Sequence, residues 1–403
     1  MYCIFKKPSL LLVLSLTCTA LLLHHFVCIP ECFSVHPSSL LAKTGKTKQK
    51  TNIFIFATWR SGSSFFGEMF NQNPEVFYLY EPLWHIWNSL YKQDGALLQG
   101  AARDMLRSLY KCDFSVFQLY MKGKLSSRNL FRFEANKVIC SLPLCPAHRR
   151  ENLELVREEI CKLLCPAQSL ETLENMCKKH NTMVIKGIRL FDLEVLLPLM
   201  EDPDISLKVI HLVRDPRAVA NSRLYSEEEL RGANQQILER CITDPPPQHK
   251  AKDSSKTNSS RVTLEVMGVL CAHLKESLQK SHLAIKLGNY RVIRYEDLIL
   301  EPSRKLRDIY SFARLSVTKE MERFVLSLSQ VSVERGGPPF RVTPRNGTVV
   351  MSTWRRRLTF TEVWHVQRLC RPAMDFLGYK QVKNYSHLLD ERDLLLDKQA
   401  IQT

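Results

Sequence analysis

The feature that most constrains the fold is a series of short apolar runs rich in β-branched and aromatic residues. The first run, 52–57, shows no alternation of apolar and polar positions, which is typical of a strand buried on both faces. Similar runs occupy 76–80, 183–186, 207–213 and 290–294. Helical patterns, such as 65–71 and 153–164, lie between them. Buried strands that alternate with helices predict an α/β fold with a parallel sheet flanked by helices. Ligands of such sheets bind at the carboxyl ends of the strands.

A polar turn follows the first run. Residues 58–65 are Thr58, Trp59, Arg60, Ser61, Gly62, Ser63, Ser64 and Phe65, and we refer to them as the first anion motif. A strand, turn and helix in this order aim free backbone N–H groups and the positive end of a helix at one point, which favours an anion. Gly62 allows close approach of the backbone, and Arg60 adds a fixed charge. The Gly-Lys-Ser/Thr ending of a magnesium-nucleotide loop is missing. Taken alone, the turn is equally typical of an ordinary helix cap.

A second polar motif follows the run 207–213. It comprises Arg214, Asp215, Pro216, Arg217, Ala218, Val219, Ala220, Asn221, Ser222 and Arg223, and we refer to it as the second anion motif. Asp215 suits a helix N-cap and Pro216 the first helical position. Arg214 then lies at the end of a strand and Ser222 about two turns along the helix. Both side chains can reach a second phosphate of the same nucleotide.

The N-terminus predicts the compartment. Lys6 and Lys7 precede an apolar stretch at 9–29, near the ~20 residues that a helix needs to cross a bilayer. The basic flank predicts a cytoplasmic N-terminus, and a cleaved signal peptide is the competing interpretation. We expect a cytoplasmic tail at 1–8, a signal anchor at 9–29, a stem at 30–50, a lumenal domain at 51–385 and a C-terminal tail at 386–403. Either interpretation sends the chain into the secretory pathway, so nucleic acid is not an expected partner despite the net charge of +16.

Sequons and cysteines agree with a lumenal domain. Asn258, Asn346 and Asn384 begin acceptor sequons for N-glycosylation. Nine cysteines follow the anchor: Cys112, Cys140, Cys145, Cys161, Cys165, Cys177, Cys241, Cys271 and Cys370. In an oxidising compartment we expect most of them to form disulfides, with at least one left free or intermolecular. Zinc ligation by the closely spaced cysteines is the competing interpretation. The pairing itself stays open, and so does self-association of the chain.

Together the two anion motifs resemble those of the Golgi galactose/N-acetylgalactosamine/N-acetylglucosamine 6-O-sulfotransferase family. The resemblance extends over about 53–379. Further matching segments are 78–85, 140–145, 294–298 and 354–355. It implies a P-loop-like sulfotransferase fold that uses 3'-phosphoadenosine 5'-phosphosulfate (PAPS) and releases 3'-phosphoadenosine 5'-phosphate (PAP). The first motif would bind the 5'-phosphosulfate and residues 214–222 the 3'-phosphate. Trp354 and Arg355 would cover the nucleotide, and an aromatic ring beside an arginine can stack on a purine.

Sulfuryl transfer to an alcohol needs charge stabilisation on the leaving phosphate and a base for the hydroxyl proton. Arg60 and the helix end can neutralise the phosphate, so no metal is expected. Glu81 is the predicted base, because it follows the strand 76–80, which we expect to neighbour the first strand. His85, four residues later, is the rival base. Lys186 and Arg189 contact the donor or an acidic glycan, or are solvated surface charges.

The residues at 84–87 (Trp-His-Ile-Trp) and the Cys140/Cys145 pair resemble the N-acetylglucosamine branch of the family. The predicted reaction is 6-O-sulfation of N-acetylglucosamine in mucin-type or keratan sulfate chains, by a single-pass type II Golgi membrane protein. Sulfation of galactose or N-acetylgalactosamine, as in keratan or chondroitin, is the alternative. A non-catalytic glycan-binding protein is a remoter one. The second half of 225–261 is predicted to be an exposed loop.

Overall fold

The computed structural model describes residues 50–90, 95–240, 256–331, 340–397 and 400. The predicted anchor at 9–29 and the stem up to residue 49 lie outside this part of the chain. Within it, no helix combines the length and the apolar character that crossing a bilayer requires.

Five parallel strands form one sheet. They are β1 Thr51–Ala57, β2 Val76–Tyr80, β3 Thr182–Gly187, β4 Leu207–Val213 and β5 Tyr290–Arg294, in the order β2-β3-β1-β4-β5. The five predicted strands and the parallel sheet are therefore confirmed. The expectation that β2 neighbours β1 was wrong, because β3 lies between them and pairs with both. The sequence pattern contains no information on this insertion, since a strand pairs with whichever edge its crossover helix reaches.

Complete burial explains why these strands are apolar throughout. Every position of β1, β2, β3 and β4 is buried, as expected where helices cover both faces of a parallel sheet. The register aligns Phe56 of β1 with Gly187 of β3 and His211 of β4. The carboxyl ends of these strands therefore lie at the same edge of the sheet.

Sixteen α-helices are present in the described part of the chain. They are α1 Ser63–Asn71, α2 Trp84–Ser89, α3 Gly95–Tyr110, α4 Glu158–Leu164, α5 Leu170–Lys179, α6 Leu197–Glu201, α7 Pro216–Tyr225, α8 Glu227–Arg240, α9 Lys256–Lys286, α10 Tyr295–Leu300, α11 Pro302–Ala313, α12 Lys319–Ser329, α13 Gly347–Ser352, α14 Trp354–Arg357, α15 Phe360–Phe376 and α16 Tyr385–Leu389. Helix α9 begins at Lys256, so the end of the loop that was predicted for the second half of 225–261 is helical, and Asn258 lies in the first turn. Residues 241–255 lie outside the described residues.

The predicted C-terminal tail packs onto the domain. Leu388 and Leu395 are buried in a small apolar cluster that contains Trp354 and Val363. Arg355 donates hydrogen bonds to the backbone carbonyls of this tail, among them that of Asp390 at 2.9 Å. The folded unit therefore continues beyond residue 385.

Four disulfides join eight of the nine cysteines that follow the predicted anchor. The pairs are Cys112–Cys177, Cys140–Cys161, Cys145–Cys165 and Cys271–Cys370. The prediction of disulfides is confirmed. Among the described residues, the three cysteine sulfurs close enough together to hold a metal, those of Cys140, Cys161 and Cys165, belong to these bonds. Cys241 lies outside the described residues.

The Cys271–Cys370 disulfide spans 99 positions of sequence and joins α9 to α15. We expect the Cys271→Ala/Cys370→Ala variant to lose about 2–5 kcal/mol of unfolding free energy, because opening so long a loop restores entropy to the unfolded chain. Chemical denaturation followed by circular dichroism measures this loss. Single replacements are an unsuitable control, since each leaves a reactive thiol. An unchanged denaturation midpoint would contradict the assigned pairing.

Candidate active site

The carboxyl ends of the strands open into a cleft of about 390 Å³. Both anion motifs contribute to its lining, together with residues after β2 and β3 and the segment around 340–357. The members of the predicted PAPS site that line it are Trp59, Arg60, Gly62, Ser63, Ser64, Phe65, Arg214, Asn221 and Ser222. The fold therefore brings the two sequence motifs to one place.

Gly62 sets the geometry of the first anion motif. Its φ of 90° lies in the left-handed region, and it caps α1 without a side-chain hydrogen bond. A Cβ at this position would lie 2.5 Å from the Tyr295 ring. Only glycine both adopts this positive φ without strain and leaves room for the Tyr295 ring. The first N–H groups of α1, which have no carbonyl partner within the helix, therefore start at the cleft.

Arg60 connects the two anion motifs. Its Nε donates to Ser222 Oγ at 2.8 Å, and its carbonyl accepts from Arg214 Nη1 at 3.0 Å. Burial, together with the positive charges of Arg214 and Arg345, lowers the pKa of Arg60 to about 10. The side chain stays protonated at neutral pH. Three converging guanidinium groups beside a helix N-terminus favour a polyanion in this part of the cleft.

Arg345 belongs to this group, although sequence reasoning missed it. It precedes Asn346, whose side chain caps α13 by accepting from Val349 N at 3.3 Å. The sequence signal that could have revealed Arg345 is an arginine directly before a helix N-cap residue. Arg214 stands in the same position before the N-cap Asp215. Asn346 is also a predicted glycosylation site. The other two, Asn384 and Asn258, lie at the N-cap of α16 and in the first turn of α9.

The rest of the second anion motif builds the helix start. Asp215 caps α7 by accepting from Arg217 N at 2.9 Å. The Arg217 side chain is fully buried, pairs with Asp215 and donates to Gln367 Oε1 and to the carbonyl of Lys380. The structure does not place these predicted members of the PAPS site in the cleft lining: Thr58, Ser61, Asp215, Pro216, Arg217, Ala218, Val219, Ala220, Trp354 and Arg355.

Trp354 and Arg355 have their partners inside the protein. The Trp354 ring is 2% exposed and contacts the guanidinium groups of Arg217 at 4.4 Å and Arg355 at 5.2 Å. Arg355 is buried against the C-terminal segment. With this exposure the indole ring is not open to a purine.

Glu81, the predicted base, lies in the cleft. It is 4% exposed, and its two carboxylate oxygens accept from Lys186 Nζ and Arg189 Nη1. Burial by itself raises the pKa of Glu81, but these two cations outweigh burial and lower the pKa to about 2. The carboxylate is therefore ionised at neutral pH. Its backbone φ of 46° is uncommon for glutamate, and such conformations concentrate at functional sites.

Lys186 and Arg189 are buried rather than solvated. Lys186 Nζ lies 3.4 Å from Ser64 Oγ, which links Glu81 to the first anion motif. Tyr80 contributes to the same network, since its hydroxyl lies 3.3 Å from Ser64 Oγ and its ring 4.1 Å from Lys186 Nζ. Arg189 packs between two aromatic rings, those of Trp59 and Phe131. The interpretation of these two cations as surface charges was wrong.

His85, the rival base, does not line the cleft. Its Nε2 accepts from the backbone N–H of Phe131 at 3.0 Å, and its ring packs edge-on against Phe117. Burial lowers the pKa of His85 to about 4. The neighbouring tryptophans also pack internally: Trp84 stacks on Phe131, and Trp87 Nε1 donates to the carbonyl of Arg189 at 2.9 Å. His85 is therefore not placed to take a proton in the cleft.

Comparison with known proteins identifies the family. The model of the sulfotransferase domain family matches residues 50–378. Human carbohydrate sulfotransferase 2 is 45% identical over 365 residues, covering 86% of this chain and 68% of that protein. Mouse carbohydrate sulfotransferase 7 is 40% identical, covering 86% of this chain and 76% of that protein. Mouse carbohydrate sulfotransferase 4 is 34% identical, covering 94% and 93% respectively.

Solved structures resemble the chain more distantly. Mouse sulfotransferase SULT7A1 complexed with PAP has 11% identity and a TM-score of 0.38, covering 81% of this chain and 85% of that one. The sulfotransferase domain from the curacin biosynthetic pathway has 15% identity and a TM-score of 0.40, covering 82% and 98%. The assignment therefore depends on the family model and the sequence relatives. On that basis the chain belongs to the carbohydrate sulfotransferase family, and it is a PAPS-dependent sulfotransferase.

Proposed function

We propose that the enzyme transfers the sulfuryl group of PAPS to the 6-hydroxyl of N-acetylglucosamine in mucin-type or keratan sulfate chains. It would do so in the Golgi lumen, as a type II membrane protein anchored by residues 9–29. The observation that carries the reaction is one cleft that holds both anion motifs and the ionised Glu81. The predicted acceptor sugar is supported by the sequence resemblance at 84–87 and 140–145.

We place the 5'-phosphosulfate at the first turn of α1 and the 3'-phosphate between Arg214 and Ser222. The described cleft lining supports this placement by its charge, because its basic side chains outnumber its acidic ones six to one. The basic residues are Arg60, Lys186, Arg214, Arg341, Arg345 and Arg357, and the acidic residue is Glu81. Such an imbalance favours a ligand with several phosphate and sulfate charges.

In the proposed reaction the acceptor oxygen forms a bond to sulfur while the bond between sulfur and the 5'-phosphate oxygen breaks. The hydroxyl proton moves to the Glu81 carboxylate. PAP leaves with the additional charge on its 5'-phosphate, which Arg60 and the N-terminus of α1 stabilise. The sulfate also attracts Lys186, which lies within reach of Ser64. Glu81 then keeps Arg189 as its one remaining cationic partner and becomes a stronger base.

This assignment predicts how turnover depends on pH. Because the pKa of Glu81 is about 2, the carboxylate is already ionised above about pH 4, and His85, with a pKa of about 4, is neutral above about pH 5. In the substrate complex Arg189 stays paired with Glu81 and still favours the ionised carboxylate, so we expect kcat at saturating PAPS and acceptor to stay constant between about pH 5.5 and 7.5. An acid limb with an apparent pKa between about 6 and 7 would contradict Glu81 in this environment.

Transfer to defined sugars tests the proposed function. The full chain in detergent would be incubated with radiolabelled PAPS and oligosaccharides that end in N-acetylglucosamine, galactose or N-acetylgalactosamine. Label on the 6-hydroxyl of N-acetylglucosamine supports the proposal. Label found only on another sugar would show that this other sugar is the acceptor, and the proposed sulfuryl transfer from PAPS would still hold. Parallel reactions with the Glu81→Gln protein measure how much of the label is transferred without the proposed catalytic base.

The proposed topology has its own test. Microsomes that contain the newly synthesised chain should protect residues beyond the anchor from added protease. Peptide N-glycosidase should then reduce the apparent mass of the protected chain. Complete digestion of the catalytic domain in intact microsomes would place it on the cytoplasmic side and overturn the type II orientation.

A further inference from the structure

The junction of α7, α8 and α9 contains a buried positive charge that no carboxylate of the described residues balances. Arg223, the last residue of the second anion motif, is fully buried and does not line the cleft. In the described part of the chain its side chain donates to the neutral side-chain oxygen of Asn234, while Nε and Nη1 have no partner. Burial, together with the positive charge of Arg60, lowers the pKa of Arg223 to about 9. The guanidinium group therefore stays charged at neutral pH.

Further polar groups of this junction are also unpaired. Ser226 Oγ and Thr263 Oγ1 are buried and have no hydrogen-bond partner among the described residues. Ser226 follows Arg223 by three positions, at the end of α7, and Thr263 lies on α9, which packs against both α7 and α8. The described residues contain eight unpaired buried side-chain N and O atoms, and four of them belong to these three residues. Because buried polar groups in folded proteins are nearly always paired, this concentration indicates an occupant.

The charge of Arg223 decides which occupant fits. A water molecule accepts hydrogen bonds from the guanidinium group but leaves its charge uncompensated, which is unfavourable in a buried place. A divalent anion exchanges one uncompensated charge for another. A small monovalent anion accepts from several donors at once and leaves the junction neutral.

We propose that the junction of α7, α8 and α9 binds a small monovalent anion of the halide class, such as chloride, through Arg223 Nε and Nη1 and the Ser226 hydroxyl. The Thr263 hydroxyl is the corresponding donor on α9. The site lies outside the cleft lining, so its occupant is neither PAPS nor the acceptor. Ser222, which lines the cleft, directly precedes Arg223 on α7. The anion therefore stabilises the helix that carries part of the second anion motif.

Thermal unfolding of the full chain in detergent tests the anion site. The protein is compared in sodium chloride and in sodium gluconate of equal ionic strength, because gluconate is too large for a buried site of this kind. We expect chloride to raise the unfolding temperature by at least about 2 °C, with a response that saturates. Arg223→Leu should abolish the difference between the two salts. Arg356→Leu is the matched control and should keep it, because Arg356 is exposed and pairs with Glu391.

Ser226→Ala decides the question if Arg223→Leu does not fold. Removal of an unpaired hydroxyl from an empty site does not destabilise a protein, whereas removal of a donor from an occupied site weakens binding of the occupant. We expect Ser226→Ala to need at least about fivefold more chloride for half of the maximal stabilisation. Equal unfolding temperatures of the unmodified protein in chloride and gluconate would overturn the anion site. An unchanged chloride response of folded Arg223→Leu or of Ser226→Ala would overturn it as well.

Discussion

Glu81→Gln is expected to lower kcat by about 10²- to 10⁴-fold while PAP affinity stays within about threefold. The substitution removes the carboxylate that we propose as the proton acceptor and keeps the size of the side chain. Glu81 lies beside the first anion motif through Lys186 and Ser64, rather than within it. PAP binding should therefore be largely preserved. Initial rates with saturating PAPS and acceptor, together with calorimetric PAP titrations, measure both effects.

Loss of the carboxylate also leaves two buried cations without their anionic partner. Lys186 is 1% exposed and Arg189 is 8% exposed, so part of the effect could be structural. Thermal unfolding of Glu81→Gln separates the two contributions. Glu81→Asp is the second control, because it keeps the charge and displaces it by one methylene group. We expect its turnover to be intermediate. A folded Glu81→Gln protein with normal kcat would exclude Glu81 as the base.

Arg60→Ala is expected to lower kcat by about 10²- to 10³-fold and to weaken PAP binding as well. The guanidinium group would stabilise charge on the leaving phosphate, and it also holds Ser222 of the second anion motif. The loss should therefore affect both turnover and nucleotide affinity. Arg60→Lys keeps the charge but has no planar guanidinium, so it should recover only part of the activity. The measurements are kcat, the KM for PAPS and the Kd of PAP.

Arg341→Ala is the control for a general loss of positive charge from the cleft. Arg341 also lines the cleft, but it pairs with Glu158 and Glu159 on α4. We expect it to change kcat by less than about threefold, because these two carboxylates already offset the charge of Arg341. Similar effects of Arg60→Ala and Arg341→Ala would mean that Arg60 acts through the overall field, and would contradict its placement at the leaving phosphate.

The strands could be predicted from the sequence because burial on both faces leaves a local signature. The runs 76–80, 207–213 and 290–294 coincide with β2, β4 and β5. The turn at Gly62 and the helix start at Asp215 were also predictable, since each depends on neighbouring residues alone. The order of the strands depends on where a crossover returns to the sheet. The insertion of β3 between β1 and β2 therefore required the structure.

The site was predictable to the extent that its residues follow strand ends. Arg60, Glu81 and Arg214 were located in this way. The burial of individual side chains could not be predicted from the sequence, because it depends on packing against helices that are distant along the chain. His85 and Trp354 carry suggestive chemistry but pack inside the domain.

A structure of the protein with PAP and an oligosaccharide that ends in N-acetylglucosamine tests the central claim most directly. We expect the 5'-phosphate at the first turn of α1 and the 3'-phosphate at Arg214 and Ser222. The 6-hydroxyl of the sugar should lie within about 3 Å of the Glu81 carboxylate. PAP bound in the reverse direction or outside the cleft, or a sugar hydroxyl directed at a residue other than Glu81, would contradict it.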